Sequence, residues 1–505
     1  MSGNKILSAY LTSILGVFSG LLTNLWLLKE LTTHVSAVDF GLYSYIFQIS
    51  SYLLILQLGM DFSVSRQIAE YLGKGEHNHA NTAFWELKRF NRYGILLVIV
   101  AVLGLAQLFQ SGIGVDLERT GLATKLVLLV GANQVLVFLQ RPFSAALIGG
   151  HHQEVVNIVT VLRTVITTLI AFAFLKGGQG VLSTPMAEIG TQLVANGVLI
   201  YYCKKKLLWK KEKPKDKHSP IFKQLFHFAF FSTIGGLAWT VEATSDVLLI
   251  KHVLKDLSLL SLYVVWWRFP QMFFDLATRF ASSAFPVFAA KHGANDGSAG
   301  QTFSRVLLVV IFFASLALVG ISAWLPSFIW LWFPEPYHFF QPYQLAVGMG
   351  VLVALRILGN LFAFFLLSAG NTRITTRVAW LQALLKVLLA YWAIVQWSLV
   401  GLIVASCIAA SLQSLFYGFY LLKHKFLTYS QVGFITGVMF CSAGVVWLLP
   451  AMPLNLSLSA LIGGAVVTAI LWLCIFLLMA MLSKSHKSLV MNQLEHLRKK
   501  VLLRQ

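Results

Sequence analysis

The chain is poor in charge. Only 11% of its 505 residues are Asp, Glu, Lys or Arg, against roughly 25% in an ordinary soluble domain, and this excludes a soluble globular protein. It is poorest in acid, with 19 Asp and Glu against 39 Lys and Arg. Long polar stretches are missing too. None between apolar segments exceeds about 35 residues, too short to bury a core of its own. Cysteine is scarce: Cys203, Cys407, Cys441 and Cys474 lie in or at the ends of apolar segments without paired or metal-ligand spacing, so neither a disulfide nor a metal site is expected. No small-residue cleavage signal follows the first apolar run, which therefore reads as a retained helix and not a signal peptide.

What the chain does have is apolar sequence, 57% of its residues. A membrane-crossing helix takes about 20 such residues. Apolar segments fall at 7–28, 40–60, 93–111, 122–148, 155–175 and 180–203, then at 225–250, 259–285, 303–325, 343–369, 375–397 and 399–421, with two more at 431–449 and 456–482. The expected fold is an all-α integral membrane protein of about fourteen transmembrane helices.

The formal charge of +20 would suggest nucleic acid in a soluble protein, but cytoplasmic loops of membrane proteins accumulate Lys and Arg. If the first helix runs outward, 27 basic residues fall on the inner side, 6 on the outer side and 6 inside helices, which accounts for all 39. Both termini are then cytoplasmic, in a multi-pass protein of the cell inner (plasma) membrane, and no nucleic-acid partner is expected.

The organisation expected is an N-terminal six-helix lobe at 1–203, a basic cytoplasmic linker at 204–224, a second six-helix lobe at 225–422, two additional helices at 431–482 and a cytoplasmic tail at 484–505. The linker holds nine basic residues from Lys204 to Lys223, with Pro214 and Pro220. A shift of 220 residues lays "FGLYSY" at 40–45 on "LSLYVV" at 260–265 and keeps helices and loops in register, including the glycine turns "IGGHH" and "SAGNT". Six helices per copy leave the copies in the same orientation, a parallel repeat of the kind many transporters use. In the tail, Val490, Leu494, Leu497 and Val501 share one helical face opposite a basic one, the pattern of a helix lying on anionic lipid.

The opening helix followed by "FGLYSYIFQISSYLLILQLGMDFSVSRQIAEYLGKGE" resembles polysaccharide-biosynthesis membrane proteins, the lipid-linked oligosaccharide (O-antigen type) flippases of the multidrug/oligosaccharidyl-lipid/polysaccharide exporter superfamily. The resemblance implies two six-helix lobes around a central cavity, alternating access, and in some members two further helices. Its sharpest part, residues 40 to 76, is structural and carries no catalytic group.

An ionisable side chain inside a bilayer helix costs at least about 2.5–3.5 kcal/mol on insertion scales and commonly marks function. Ten such residues occur: Arg141, Arg163, Arg268, Arg279, Arg356 and Lys386, and the acids Glu188, Glu242, Asp246 and Asp275. Counting about 1.5 Å per residue from the nearer helix end puts Arg163, Arg268, Arg356 and Lys386 near the midplane. Arg163 shifted by 220 falls three residues from Lys386, so each lobe places a cation on its fifth helix. Arg141, Arg163, Arg268, Arg356 and Lys386 are the candidates for a cationic cavity that binds phosphate, because guanidinium forks match phosphate oxygens. The opposing reading is an interhelical salt-bridge network, with Glu242 pairing to Arg268 at similar depth. Asp275 and Arg279, four apart on one helix, are expected to form a local structural pair. Glu242 and Asp246 share one face of the seventh segment and are the candidates for coupling to an H⁺ or Na⁺ gradient.

Pro142, Pro185 and Pro270 fall inside apolar segments, where proline kinks a helix. His77, His79, His151 and His152 lie in expected inner loops without convergent ligands, so no metal is expected. Residues 326–342 read as an outer loop whose Trp330, Trp332, Phe333, Tyr337, Phe339 and Phe340 suit an interfacial aromatic belt.

These observations, with the resemblance, point to a transporter that flips a polyprenyl-diphosphate-linked oligosaccharide from the inner to the outer leaflet. Its partners would be the anionic lipid-linked glycan, membrane lipids and polysaccharide polymerase machinery, and it would have no cofactor. A multidrug exporter of the same superfamily is the first alternative, although organic cations favour acidic, aromatic cavities. A membrane glycosyltransferase or ligase is the second, and the outer loops hold few carboxylates or histidines to serve it.

Overall fold

The computed structural model describes residues 3–53, 60–207, 220–284, 288, 291, 298–448 and 453–482, and every regular element among them is helical. The first elements are α1 (Gly3–His34), α2 (Ala37–Ser51), α3 (Met60–Gly73), α4 (His77–Gln110), α5 (Thr120–Gly149), α6 (Gln153–Lys176) and α7 (Ser183–Leu207). Then come α8 (Pro220–Leu249), α9 (Leu257–Ser283), α10 (Ser298–Trp332), α11 (Pro342–Ser368), α12 (Thr372–Lys423), α13 (Tyr429–Leu448) and α14 (Leu458–Leu482). Eight of the described helices, α4 to α6 and α10 to α14, are long and apolar enough to cross a membrane. The expected linker and tail fall largely on 208–219 and 483–505, outside the described residues.

The internal repeat is visible in the helix starts. Helices α2, α4 and α6 begin at 37, 77 and 153, and α9, α10 and α12 begin at 257, 298 and 372, shifts of 220, 221 and 219. The caps repeat as well. Ser36 accepts the Asp39 amide at the start of α2, and Asp256, 220 residues on, accepts the Ser258 and Leu259 amides at the start of α9, which satisfies donors that a helix leaves open in its first turn.

Helix α12 has 52 residues, more than twice the length needed to cross a bilayer. It breaks at Trp397 and Ser398, the latter at φ 50°, between the two segments expected at 375–397 and 399–421. The chain turns back so sharply there that a Cβ at Gly401 would lie 2.0 Å from the Ala393 carbonyl oxygen; only glycine fits.

By packing, the chain divides into a first unit of Met1–Thr240 with Asp256–Ser261 and a second of Val241–Lys255 with Leu262–Gln505. In the first unit, α3 corrects the expectation of an inner loop after residue 60. Its charged residues hide it from an apolar scan, but Val64 and Ile68, one turn apart, are fully buried in a core with Leu87 and Ala146. Helix α3 crosses α5 closely, since a Cβ at Gly149 of the "IGGHH" turn would come 2.6 Å from the Ser65 carbonyl oxygen. Helix α4 starts earlier than its apolar stretch, so His77 and His79 belong to its first turn and not to a loop.

The three prolines differ. Pro142 and Pro270 lie inside α5 and α9, whereas Pro185 is the third residue of α7, where the amide it lacks would have no intrahelical partner. Pro142 strips the Phe138 carbonyl of its helical donor. Asn91 of α4 replaces it, with Nδ2 donating to that oxygen at 2.9 Å.

In the second unit, α10 runs through Trp332, so Pro326 and Trp330 are helical and the loop is shorter than expected. The aromatic belt is only partly one. Phe333, Tyr337 and Phe339 are buried, Trp266 donates from its indole to the Tyr337 carbonyl oxygen at 2.9 Å, and only Phe340 among those aromatics is widely exposed. The last two helices attach to α10. The Trp472 indole donates to Ser315 Oγ at 3.0 Å, the Trp324 indole to Thr468 Oγ1 at 3.2 Å, and Gln431 to Ser304 Oγ at 2.7 Å.

Asn91→Ala leaves the Phe138 carbonyl buried without a donor and should cost about 1–3 kcal/mol, read as a lower melting temperature in detergent. In a Pro142→Ala background the backbone amide returns, and the same substitution should cost much less. Equal losses in both backgrounds would refute the assignment.

Candidate functional site

The intramembrane charges sort into two different environments. In the second unit, Glu242 and Asp246 stand one turn apart on α8 and are both buried, as are Arg356 of α11 and Lys386 of α12. Arg356 donates to Glu242. Lys386, with 0% of its surface exposed, lies 2.8 Å from Asp246 Oδ1 and 3.8 Å from Glu242 Oε1, and it also donates to the Glu242 carbonyl oxygen. Tyr263 of α9 donates its hydroxyl to Asp246 Oδ2 at 2.6 Å, and its ring stacks on Trp267, over which the Arg356 guanidinium sits at 5.1 Å. Two cations and two anions therefore close on one another. Such a set is held by mutual compensation, because removing one member strands a buried charge.

This geometry corrects the expected pairing of Glu242 with Arg268. Depth along a helix can be counted from sequence, but the direction a side chain faces relative to other helices cannot, and the Glu242 face of α8 meets Arg356. Arg268 instead lies, with Arg279, within electrostatic reach of Asp275 on its own helix. Asp275 accepts a hydrogen bond from Gln271 at 2.8 Å. An ion arriving at Glu242 or Asp246 must displace Arg356 or Lys386.

The first unit holds the opposite arrangement. A cavity of about 630 Å³ runs among α3, α5, α6 and α7, and Arg141, Arg163, Gln140, Gln192, Ser144 and Ser65 supply its polar wall. None of its described lining residues is acidic. Arg163 stands ten residues into α6, about 15 Å along it. Its guanidinium donates to Gln192 Oε1 of α7, while Gln192 donates in turn to Gln140 and, at 2.8 Å, to Asn196 Oδ1. Asn196 donates to the Leu136 carbonyl oxygen at 2.9 Å, and Gln140 to Ser144 Oγ at 3.2 Å. This amide chain fixes Arg163 by one of its arms without neutralising it. A planar cation held on a neutral scaffold in a cavity can bind an anion through its remaining donors.

Of the sequence-derived residues, the structure brings Arg141 and Arg163 to one cavity, and Arg356, Lys386, Glu242 and Asp246 to one closed cluster. The amides Gln140, Gln192 and Asn196 escaped a search for charge. Their signal was present nonetheless: Glu188, Gln192 and Asn196 recur every fourth residue on one face of an apolar helix, and polar groups there need partners.

Fold and charges together define a polytopic helical membrane protein with an internal repeat. The chain belongs to the polysaccharide biosynthesis protein family, whose model matches residues 9–292. Among solved structures it is similar to the lipid II flippase MurJ in an inward closed conformation, at 16% identity and a TM-score of 0.67, covering 95% of this chain and 98% of that one. It is also similar to an inward-facing multidrug resistance MATE family transporter of the MOP superfamily, at 13% identity and a TM-score of 0.64, over 82% and 99% of the two chains. A third likeness is to a MOP superfamily transporter from Pyrococcus furiosus described by the reverse polarity of its binding pocket, at 14% identity and a TM-score of 0.63, over 83% and 95%. At these identities the likeness is one of fold. A search of curated proteins returns no match.

Lys386→Ala leaves Asp246 without its cation and should cost about 3–5 kcal/mol of stability, largely recovered by adding Asp246→Asn. Arg163→Ala, which strands no carboxylate at hydrogen-bond distance, should lower thermal stability far less. The opposite ranking of the two single variants would overturn the distinction between cluster and cavity.

Proposed function

We propose that this protein is a flippase that carries a polyprenyl-diphosphate-linked oligosaccharide of the O-antigen type from the inner to the outer leaflet for cell-surface polysaccharide biosynthesis. The observation that carries the reading is the first unit's cavity, with Arg141 and Arg163 in its wall and no acidic residue among its described lining. A diphosphate is the anion that such a lining suits, because each guanidinium offers forked donors to phosphate oxygens. The family supports the sugar and the fold supports transport; neither names the glycan. The lipid tail stays in the bilayer while the head group crosses, and the two repeats alternate their access to the two faces. The glycan is handed to polymerase machinery on the outer side of the plasma membrane.

A multidrug exporter is the second reading, favoured only by the shared fold. Organic cations are drawn to carboxylates and aromatic faces, and this cavity offers guanidinium groups. An enzyme would need acid–base or nucleophilic groups converging on a substrate, and the cavity wall presents amides, hydroxyls and arginines.

In cells depleted of this protein, a lipid-linked oligosaccharide should accumulate on the inner leaflet, and the wild-type gene should clear it. Arg141→Ala with Arg163→Ala should fail to clear it while reaching the membrane in normal amount. An unchanged lipid pool together with altered drug sensitivity would refute the flippase reading and favour the exporter. Orientation is tested separately by cysteines introduced at His151 and Gly178. An impermeant thiol reagent applied outside should label the second and not the first, and the reverse would invert the topology.

A further inference from the structure

The four described intramembrane acids are not equivalent. Glu242 and Asp246 are held by Arg356 and Lys386, and protonating either would strand a buried cation. Asp275 is an exposed residue of α9 held by Gln271. Glu188 differs from all of them. It sits on α7, eight residues into the apolar segment 180–203, and accepts from a neutral amide, Asn133 Nδ2 of α5, at 2.8 Å. Gln192, the residue that anchors Arg163, lies four positions further on the same face of α7, so Glu188 is one turn from the Arg163 guanidinium. The α6–α7 seam continues there through Thr167 and Thr191, whose hydroxyls are 2.6 Å apart.

The groups at Glu188 are therefore Arg163 from α6, Asn133 from α5 and, on its own helix, Thr191, whose hydroxyl reaches the Glu188 carbonyl oxygen at 3.2 Å. Arg141 of α5 lies further along the cavity. Arg163 is the charge within electrostatic reach of Glu188. The Asn133 amide can serve a carboxylate or a neutral carboxyl alike, so its hydrogen bond does not commit Glu188 to one protonation state.

We propose that Glu188 is a proton-binding site linked to the anion site through Arg163, so that loading a diphosphate into the cavity draws a proton onto Glu188. The inference rests on the flippase reading of the cavity. Arg163 is the shared element. With the cavity empty, its positive charge stabilises the Glu188 carboxylate; with a diphosphate on its free donors, that charge is engaged and a second negative charge has entered the same low-dielectric space, so an ionised Glu188 is opposed. Linkage is reciprocal: if the anion favours the proton, the proton favours the anion. Affinity must then rise as pH falls. A head group loaded with this proton brings one less unit of net negative charge into the bilayer, so loading responds to pH at a residue set one turn away from the anion's own guanidinium.

The test is binding of a short-chain prenyl-diphospho-sugar to the full-length protein in nanodiscs across a pH series, since a diphosphate diester does not itself titrate near neutral pH. For wild type, affinity should fall as pH rises, approaching about tenfold per pH unit for one linked proton, and calorimetry in buffers of different ionisation enthalpy should show proton uptake on binding. Glu188→Gln, which keeps the Asn133 hydrogen bond and mimics the protonated acid, should bind at the wild-type low-pH affinity at every pH, without uptake. Glu188→Asp should restore a pH dependence. A Glu188→Gln protein that keeps the wild-type pH profile overturns the inference and leaves the anion cavity standing, as does a wild-type affinity that follows Na⁺ and not pH. A wild-type protein that binds no diphosphate overturns the cavity reading and this inference with it.

Discussion

A charge inside a bilayer has to be compensated by protein, and the two units of this chain meet that constraint in different ways. In the second unit the compensation is ionic, with Glu242 and Asp246 closed on Arg356 and Lys386. In the first it is made by neutral amides: Gln192 takes one arm of Arg163, and Gln140 and Asn196 hold Gln192 in turn. A closed quartet holds α8, α11 and α12 together, and a guanidinium on an amide scaffold keeps donors for a ligand.

The internal repeat sharpens the point. Arg163 and Lys386 occupy related places on α6 and α12, and a repeat inherited unchanged would have given both cations the same task. The acids decide otherwise. Both α8 carboxylates reach Lys386, while the α7 carboxylate of Glu188 stays one turn from Arg163 and accepts from Asn133. The same pattern of midplane cations is thus closed by carboxylates in one copy and set on neutral amides in the other.

Much of the fold was legible in the chain because a bilayer requires long apolar helices and glycine turns between them. The succession of apolar helices, the 220-residue register and the break near 398 are written in composition, whereas the start of α4 and the end of α10 lie beyond their apolar stretches. Helix α3 was not, since its apolar stripe of Val64 and Ile68 serves a protein core and is interrupted by charge. The depth of Arg163, Arg356 and Lys386 follows from helix ends, but rotation between helices does not, so depth alone pairs Glu242 with Arg268 where α11 delivers Arg356. Neutral groups were invisible to a search for charge: Gln192 as the anchor of Arg163, and Asn91 as the donor that replaces the amide Pro142 lacks.

The central claim is that an anionic head group lodges in the first unit's cavity, between Arg141 and Arg163. The most direct measurement is an experimental structure of the full-length protein with a polyprenyl-diphospho-oligosaccharide bound in nanodiscs. The account predicts diphosphate density against those two guanidinium groups, with Glu242, Asp246, Arg356 and Lys386 still paired among themselves. Density at Arg356 and Lys386, with their carboxylates displaced and the Arg163 cavity empty, would contradict it.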